Sequence, residues 1–368
     1  MFKKTAKIDV VLMYAVFGLL LFGLIMIASA GVGYAKTRFG DEYFFLKRQL
    51  LFGVLPGLLA MLIVKNIDYQ FWKRFSFIVF IISIIFLIMV FIPGFGSKIY
   101  GASRWIQLGP FSFQPSEMLK ISLILYLAAW LTTKKEKIKD FYEGLMPFVV
   151  VVLGVSFLLI KQPDIGTLGA VILIAMSIFF VAGARISHIF FLGMAGLASL
   201  GLLIKMESYR MDRLLVFLHP ELDPRGIGYQ INQALLAIGS GGIFGVGLGH
   251  SMQKFNYLPE PVGDSIFAII GEELGFLGIA IPIILFIVIA IRGLKIAKKA
   301  PDNFGRLVAV GITSWIVFQA FINISAISGL APLTGIPLPF ISYGGTSIVF
   351  LLTAVGILLN ISKQANSN

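Results

Sequence analysis

The sequence contains no cysteine among its 368 residues. Disulfide bonds, thiol nucleophiles and cysteine-ligated metal sites are therefore excluded. The three histidines, His188, His219 and His250, are scattered and lack the spacing of a metal site. No tandem repeat or low-complexity tract is visible. The chemistry of this protein must therefore be sought in carboxylates, amides, hydroxyls and basic side chains.

Charge is also scarce, because charged residues make up 13% of the chain against about 25% in a typical soluble domain. Apolar residues reach 58%, and the mean hydropathy is +0.93. Runs of roughly 20 apolar residues, which suffice to span a bilayer, recur along the whole length. Since lipid offers the backbone no hydrogen-bond partners, each run is expected to be a helix. We predict an all-α, polytopic membrane protein with ten spans, at about 10–30, 48–64, 76–92, 115–132, 145–160, 167–182, 188–204, 266–291, 307–330 and 340–360.

The net charge of +12 raises the question of a nucleic-acid partner. Seventeen basic residues fall in the segments on the side of the N-terminus, and seven fall in the short loops on the other side. This asymmetry is typical of a multi-pass protein whose two termini are cytoplasmic, so we expect no nucleic acid. The start of the chain imitates a signal peptide. Its apolar run is too long for one, however, and cleavage would leave an odd number of spans.

Three polar segments interrupt the apolar pattern, and all lie on the predicted outer side: 93–114, 205–265 and 329–347. We expect a single membrane domain over 1–368 in which 205–265 is a large extracytoplasmic loop between helices 7 and 8. Apolar pieces within this loop predict that it is ordered and packs on the bundle. The glycine-rich stretch 239–251 lacks the Lys-Ser/Thr of a phosphate-binding loop, so close backbone packing is the better interpretation.

Carboxylates gather around the start of the eighth span, in the stretch "NYLPEPVGDSIFAIIGEELGF" at 256–276. Asp264 comes just before that span and has two possible roles. It is either an N-cap that binds an orphan backbone N–H or a general base at the outer membrane surface. Glu272 and Glu273, two turns into the helix, are at a depth where carboxylates need partners.

Basic residues near the outer face also allow two interpretations. Glu117 and Lys120, three residues apart after Pro115, are either an ion pair at a helix start or a polar lining for an anionic head group. Arg104, Arg210 and Arg213 are either interfacial anchors or clamps for a phosphate.

Three long motifs, in the right order, resemble the SEDS family, to which FtsW and RodA belong. They are "GASRWIQLGPFSFQPSEMLK" (101–120), "DPRGIGYQINQALLAIGSGGIFGVGLG" with "YLPEPVGDSIFAIIGEELGFLG" (223–278), and "NISAISGLAPLTGIPLPFISYGGTS" (323–347). The stretch "GLGHSMQKFNYLPEP" is more similar to FtsW-type than to RodA-type members. The chain departs from many members of the family directly before Asp264. It has Pro261-Val262-Gly263 where they have Ala-His-Thr or Arg-His-Thr.

The resemblance implies a peptidoglycan glycosyltransferase that polymerises lipid II at the outer face of the bacterial cytoplasmic membrane, in division or elongation. Asp264 would be the catalytic base on the acceptor 4-hydroxyl. Substrate and pyrophosphate binding is expected from a second set, Arg104, Lys120, Glu117, Arg213, Arg210 and Arg48. Site-shaping residues are expected to be Gln114, Glu260, Glu272, Glu273, Ser342, Gly344 and Gly345.

No dedicated metal cage is expected, and a divalent cation (Mg²⁺ or Mn²⁺) would bind with the substrate's pyrophosphate. The implied partners are a class B penicillin-binding protein transpeptidase and other divisome or elongasome membrane proteins. Two other functions stay open. The bundle could be a lipid II flippase, although internal repeats are not visible, or a non-catalytic scaffold for a penicillin-binding protein.

Overall fold

The computed structural model describes residues 7–99, 102–109, 111–134, 137–219, 223–224 and 226–365. This part of the chain is mostly helical, which confirms the predicted fold class. The α-helices are α1 (Val10–Ala30), α2 (Val32–Phe39), α3 (Phe44–Gln49), α4 (Leu55–Val64), α5 (Tyr69–Met89), α6 (Pro115–Thr133), α7 (Met146–Lys161), α8 (Ile165–Ala182), α9 (Ile186–Lys205), α10 (Ser208–Leu218), α11 (Tyr229–Gly241), α12 (Ile266–Lys299), α13 (Asn303–Ile327) and α14 (Gly345–Ala365). Short π-helical turns at Leu50–Val54 and Phe141–Leu145 join α3 to α4 and lead into α7.

Within the described residues, nine helices are long and apolar enough to cross a membrane. They are Val10–Ala30, Phe44–Val64, Tyr69–Met89, Phe141–Lys161, Ile165–Ala182, Ile186–Lys205, Ile266–Lys299, Asn303–Ile327 and Gly345–Ala365. The predicted span 115–132 corresponds to α6, which has 19 residues but carries the charges of Glu117 and Lys120. It packs against α5, α8, α13 and α14. The ten predicted spans therefore correspond to ten helices, with ends that differ by several residues.

Aspartates begin several of these helices. Asp9, before α1, accepts a backbone hydrogen bond at 3.0 Å, and Asp302, before α13, accepts one at 2.7 Å. Asp68 and Asp164 cap α5 and α8 in the same way. Because such caps bind amides that have no partner in the first turn, each stabilises its helix start by about 1 kcal/mol.

A small antiparallel sheet within the outer segment 93–114 was not predicted. It consists of β1 (Gly96–Ile99), β2 (Ala102–Leu108) and β3 (Phe111–Phe113), in that order. Gly109, at a φ of 62°, allows the turn after β2. Strands this short depend on pairing with their neighbours, so a glycine- and proline-rich stretch gives little sign of them in the sequence.

The two ends of the bundle carry different structures. At one end, Asp9 binds Arg292, near the end of α12, and its N–H donates to Ser362, near the end of α14. Both ends of the described chain therefore lie on the same side, as an even number of spans requires. The sheet, α10, α11 and the segment 329–344 lie at the other end. That the first end is cytoplasmic stays a prediction from the distribution of basic residues.

The long outer segment 205–265 contains α10 and α11. α10 packs against α9, and α11 packs against α12. The prediction that this segment is ordered and returns to the bundle is confirmed for its described residues.

The glycine-rich stretch that follows α11 packs against a break in α12. Gly275, inside α12, has a φ of 64°, so the helix is interrupted there. Beside the break, the amide of Val246 donates to the carbonyl oxygen of Glu272 at 2.9 Å. A Cβ atom on Gly245 would lie 2.2 Å from the carbonyl oxygen of Glu273. The interpretation of these glycines as close backbone packing is confirmed.

The approach of α1 to the chain before α14 gives a test of the packing. A Cβ atom on Gly23 would lie 2.6 Å from the carbonyl oxygen of Phe340 and 2.6 Å from Cα of Ile341, whereas one on Gly18 would meet only the side chain of Leu285, at 3.4 Å. We expect Gly23→Ala to lower the free energy of unfolding by about 1–3 kcal/mol through overpacking. Gly18→Ala, the matched control on the same helix, is expected to be neutral or slightly stabilising. Thermal unfolding of both variants in detergent measures the difference, and equal shifts would contradict this close approach.

Candidate functional site

Asp264 lies just before α12, and its carboxylate does not cap that helix. Ser265 holds the N-cap position, and no side chain makes a cap hydrogen bond there. Oδ1 of Asp264 is buried and has no hydrogen-bond partner among the described residues. The alternative that Asp264 is a helix cap is therefore wrong. The carboxylate keeps an acceptor oxygen that no described protein group uses.

The main chain around Asp264 is held by side chains from two other segments. The amide of Asn323, in α13, donates to the carbonyl oxygens of Asp264 and Ile336, each at 2.8 Å. The hydroxyl of Ser342 donates to the carbonyl oxygen of Gly263 at 2.7 Å. The backbone of this aspartate is thus fixed without using its carboxylate.

The surroundings of Asp264 favour its neutral form. Burial raises the pKa of Asp264 to about 6, the negative charge of Glu260 adds to that shift, and the positive charge of Arg213 opposes it. Glu260 has a φ of 50°, and its carbonyl oxygen accepts from the amide of Gly263 at 3.0 Å, which closes a tight turn before the aspartate. Near neutral pH the carboxylate is mostly ionised, with a basicity closer to that of histidine than of an exposed aspartate.

Two predicted cations, Arg213 and Arg104, lie near each other, and Arg213 also lies near Asp264. Arg213, in α10, lies within electrostatic range of both Asp264 and Arg104, and its Nη1 donates to the carbonyl oxygen of Leu333 at 3.0 Å. Arg104, in β2, donates through Nε to the carbonyl oxygen of Gln162 at 3.2 Å and through Nη2 to that of Pro163. These bonds leave each guanidinium with further N–H groups for an anion.

Arg210 and Arg48 lie in different surroundings. Arg210 donates to the carbonyl oxygen of Leu203 at 2.8 Å and to the hydroxyl of Tyr209 at 2.9 Å, so it belongs to the corner between α9 and α10. Arg48 lies over the ring of Phe44 at 5.4 Å. Burial raises the pKa of Tyr343 and the charge of Arg48 opposes that shift, which puts Arg48 beside the segment that precedes α14.

Glu117 and Lys120 form a buried ion pair in the bundle. Their side chains are 2% and 1% exposed, and Nζ of Lys120 lies 2.8 Å from Oε1 of Glu117. The same ammonium group donates to Oε1 of Gln319 at 2.8 Å and lies 4.9 Å from the ring centre of Trp315. The prediction of a pair is confirmed. Oε2 of Glu117 is buried without a partner among the described residues, so the pair keeps an unused acceptor.

The segment 329–344 joins this pair to the neighbourhood of Asp264. The amide of Gln319 donates to the carbonyl oxygen of Pro337 at 3.0 Å, next to the carbonyl that Asn323 binds. The hydroxyl of Ser342 accepts from the amide of Leu338 at 2.8 Å. Movement of this segment would therefore disturb the ion pair and the aspartate together.

A glutamine on α3 closes the end of this segment. Nε2 of Gln49 donates to the carbonyl oxygen of Ser342 at 3.2 Å, and its Oε1 accepts from the amide of Gly344 at 3.0 Å. A Cβ atom on Gly345 would lie 3.0 Å from the carbonyl oxygen of Phe52, so the start of α14 needs a small residue there. The role of Ser342, Gly344 and Gly345 in shaping the site stays a prediction. The predicted Gln114 is the N-cap residue of α6, without a side-chain cap bond.

Glu272 and Glu273 are buried, and protein side chains and a backbone amide bind their carboxylates. Oε1 of Glu273 lies 2.9 Å from Nζ of Lys254, and both its carboxylate oxygens accept from the hydroxyl of Ser29, at 2.7 and 2.6 Å. Glu272 accepts from the hydroxyl of Ser251 and from the amide of Met252 at 2.9 Å. These contacts give both acids the partners that carboxylates at their depth need.

The sequence interpretation missed four buried polar residues that fix the surrounding segments: Gln49, Lys254, Gln319 and Asn323. Gln319 and Asn323 lie four residues apart in an otherwise apolar helix, and this spacing puts their amides on one face. That signal was present in the sequence. Gln49 and Lys254 gave none, because their partners are distant in the chain.

The arrangement can accept a proton and bind an anion at the same place. An ionised carboxylate with a free oxygen is a base for a hydroxyl that comes within hydrogen-bond distance. The guanidinium groups of Arg213 and Arg104 suit a phosphate or pyrophosphate. These are the elements of a group transfer in which a hydroxyl attacks and a phosphorylated group leaves.

The buried pair gives a second test of this structure. Lys120→Met leaves Glu117 as an unpaired buried charge. We therefore expect the free energy of unfolding to fall by about 3–5 kcal/mol. The double variant Glu117→Gln/Lys120→Met removes both charges and is expected to recover most of the loss. Thermal unfolding in detergent compares the parent, the single variant and the double variant. A double variant as unstable as Lys120→Met would contradict a coupled pair.

Comparisons with known proteins identify the family of the chain. The family FTSW_RODA_SPOVE, described as "Cell cycle protein", matches residues 10–367. Stage V sporulation protein E of Bacillus subtilis is 46% identical over 99% of each chain. A probable peptidoglycan glycosyltransferase FtsW of Trichlorobacter lovleyi is 43% identical, over 98% of this chain and 94% of that protein.

A solved structure has the same fold. It is described as "Structural coordination of polymerization and crosslinking by a peptidoglycan synthase complex", and one of its chains superposes with a TM-score of 0.79 at 25% identity, over 97% of this chain and 98% of that one. Family match, relatives and fold agree over nearly the whole length. The chain therefore belongs to the family of cell cycle proteins that includes FtsW, RodA and SpoVE, the SEDS family that its motifs resemble.

Proposed function

We propose that this protein is a peptidoglycan glycosyltransferase that polymerises lipid II at the outer face of the bacterial cytoplasmic membrane. The observation that carries the proposal is the carboxylate of Asp264. It is raised in basicity, has an unpartnered buried oxygen and lies within electrostatic range of Arg213. The relatives named FtsW, which are probable peptidoglycan glycosyltransferases, support the reaction class.

Asp264 would act as the general base. It accepts the proton of the acceptor sugar's 4-hydroxyl while that oxygen bonds to the anomeric carbon of the donor chain. The bond from the anomeric carbon to the pyrophosphate oxygen breaks, and its electron pair leaves with undecaprenyl pyrophosphate. Because attack and departure take place on opposite faces of the sugar ring, the configuration at the anomeric carbon inverts.

The leaving pyrophosphate gains negative charge as it departs, and this charge needs fixed positive partners. Arg213 and Arg104 suit this role because they lie within electrostatic range of each other and are anchored on backbone carbonyl groups. Lys120 and Glu117 would support the site through the segment 329–344, since Lys120 reaches Gln319 and Gln319 binds Pro337.

A divalent cation, Mg²⁺ or Mn²⁺, would bind mainly to the substrate's pyrophosphate. Among the described residues, no group of three histidine, aspartate or glutamate side chains gathers in metal-binding geometry. Asp264, whose Oδ1 has no partner among the described residues, is the carboxylate that would orient such an ion.

We further propose that a class B penicillin-binding protein cross-links the strands made here. This follows from the structural neighbour, whose description combines polymerization and crosslinking in one complex. Other divisome or elongasome membrane proteins are expected partners. The end of the bundle that carries Asp264 would face the outside, and both termini would be cytoplasmic.

The catalytic role of Asp264 is tested with Asp264→Asn, which keeps the shape but removes the basic carboxylate. We expect the rate of lipid II polymerisation by the purified protein with its class B partner to fall by about 10²- to 10⁴-fold, which is the usual contribution of a general base. Glycan strands are measured on gels of labelled lipid II. A well-folded variant that polymerises like the parent would remove Asp264 from the chemistry.

A comparison of the parent with Asp264→Asn also distinguishes a transferase from a flippase or a scaffold. A flippase needs no base, so Asp264→Asn would move lipid II across liposomes as the parent does. If neither protein makes polymer while both translocate lipid II, the transporter replaces the transferase. If neither activity is found, the scaffold function replaces it.

Arg213 and Arg210 form a matched pair on one helix. Arg213→Gln removes the guanidinium that lies in electrostatic range of Asp264, and we expect a loss of roughly 10²-fold in kcat, in the range found for a lost charge-stabilising donor. Arg210→Gln breaks only the corner between α9 and α10 and is expected to change kcat less than threefold. Equal losses in the two variants would contradict the assignment of Arg213 to the leaving group.

A further inference from the structure

A cavity of about 270 Å³ opens at the end of the bundle opposite Asp264. The start of α1, the last turns of α12 and the end of α14 surround it. These three elements carry both ends of the described chain, and no step of the proposed reaction uses them. The cavity is therefore separate from the candidate site.

The wall of this cavity is a built structure. Nε of Arg292 lies 3.0 Å from each carboxylate oxygen of Asp9, and its Nη2 lies 2.6 Å from Oδ2. Asp9 is 7% exposed, and it also caps Leu12 and donates its own amide to Ser362. The one acidic side chain among the lining residues is thus fully engaged, and it fixes the guanidinium in place.

Two further cations line the cavity on the same face of α12. Lys295 and Lys299 follow Arg292 by three and seven residues. This spacing puts the three side chains on one face of the helix. Both are exposed, and within the described part of the chain neither has a carboxylate partner. The three cations against the single charge of Asp9 leave the lining with a net charge of two positive units.

Apart from Ser362, the rest of the lining is apolar, and its residues on α1 lie where lipid would be. Ile8, Val10 and Val11 precede or begin a membrane span, and Val10 and Val11 are 41% and 48% exposed. A ligand for such a place needs a negative head next to an apolar tail. Basic pockets between helix ends at the inner membrane surface are suited to anionic lipid head groups.

We propose that this cavity binds one anionic phospholipid of the inner leaflet, with its phosphate at Lys295 and Lys299 and its acyl chains along α1. The bound lipid would fasten the ends of α1, α12 and α14 together. The site follows from the cavity, its net charge and its place at the ends of three helices, and its assignment to the inner leaflet follows from the predicted orientation. Neither depends on the proposed reaction.

Native mass spectrometry of the purified full chain tests the site, with dioleoyl-phosphatidylglycerol and dioleoyl-phosphatidylcholine as the titrated probes. We expect one saturable phosphatidylglycerol adduct and weaker phosphatidylcholine binding. Lys295→Gln/Lys299→Gln should weaken the phosphatidylglycerol adduct roughly 25-fold, because each basic residue near a membrane surface adds about a factor of five. Lys295→Arg/Lys299→Arg keeps the charge and should bind like the parent.

The matched control is Lys139→Gln/Lys298→Gln, which removes two exposed lysines outside the cavity. It should change binding less than twofold. Equal weakening in the control, or unchanged binding in Lys295→Gln/Lys299→Gln, would overturn the site. Displacement of phosphatidylglycerol by millimolar inorganic phosphate would show that the cavity recognises free phosphate and would overturn the lipid as its ligand. Equal size-exclusion profiles of the variants verify their fold.

Discussion

The side-chain amide of Asn323 donates one hydrogen bond to the carbonyl oxygen of Asp264 and one to that of Ile336, at 2.8 Å each. It thereby joins the turn before α12, which lies 59 residues earlier in the chain, to the helix α13 and to the segment 329–344 that follows it. Because an amide inside an apolar helix is costly unless it is bonded, this connection is strongly specified. The aspartate is held by its peptide group, and Oδ1 of its carboxylate stays available for another molecule.

The buried ion pair contributes to the same frame from the other side. Burying Lys120 and Glu117 costs desolvation energy, which a pair recovers only with further hydrogen bonds. Gln319 supplies one of them and uses its N–H group to bind Pro337. The pair and the aspartate therefore share one segment of backbone, and the proposed site needs both to be formed. Glu272 and Glu273 act similarly on the opposite flank, where they bind the loop that contains Ser251 and Lys254.

Much of this architecture could be predicted from the sequence, since apolar runs in lipid can only be helices. The partnership of Glu117 and Lys120 was also predictable, because three residues in a helix bring two side chains together. The small sheet was missed, since its strands exist only through pairing. The contacts of Gln49 with Ser342 and Gly344 span almost the whole chain, and no local pattern predicts them. That Asp264 does not cap α12 could be seen only from the contacts of its carboxylate, which no local pattern in the sequence predicts.

The central claim is that Asp264 has an unpartnered carboxylate oxygen and a raised pKa. Its most direct test is the pH dependence of kcat/KM for lipid II polymerisation. This quantity reports the pKa of an essential base in the free enzyme. The pKa of Asp264 is raised to about 6 by burial and by Glu260, and lowered by Arg213. We expect kcat/KM of the parent to rise with pH along a limb whose midpoint is near pH 6. The midpoint should move to lower pH in Glu260→Gln and to higher pH in Arg213→Gln. A profile that stays flat from pH 5 to 8, or a limb that neither substitution moves, would contradict the account.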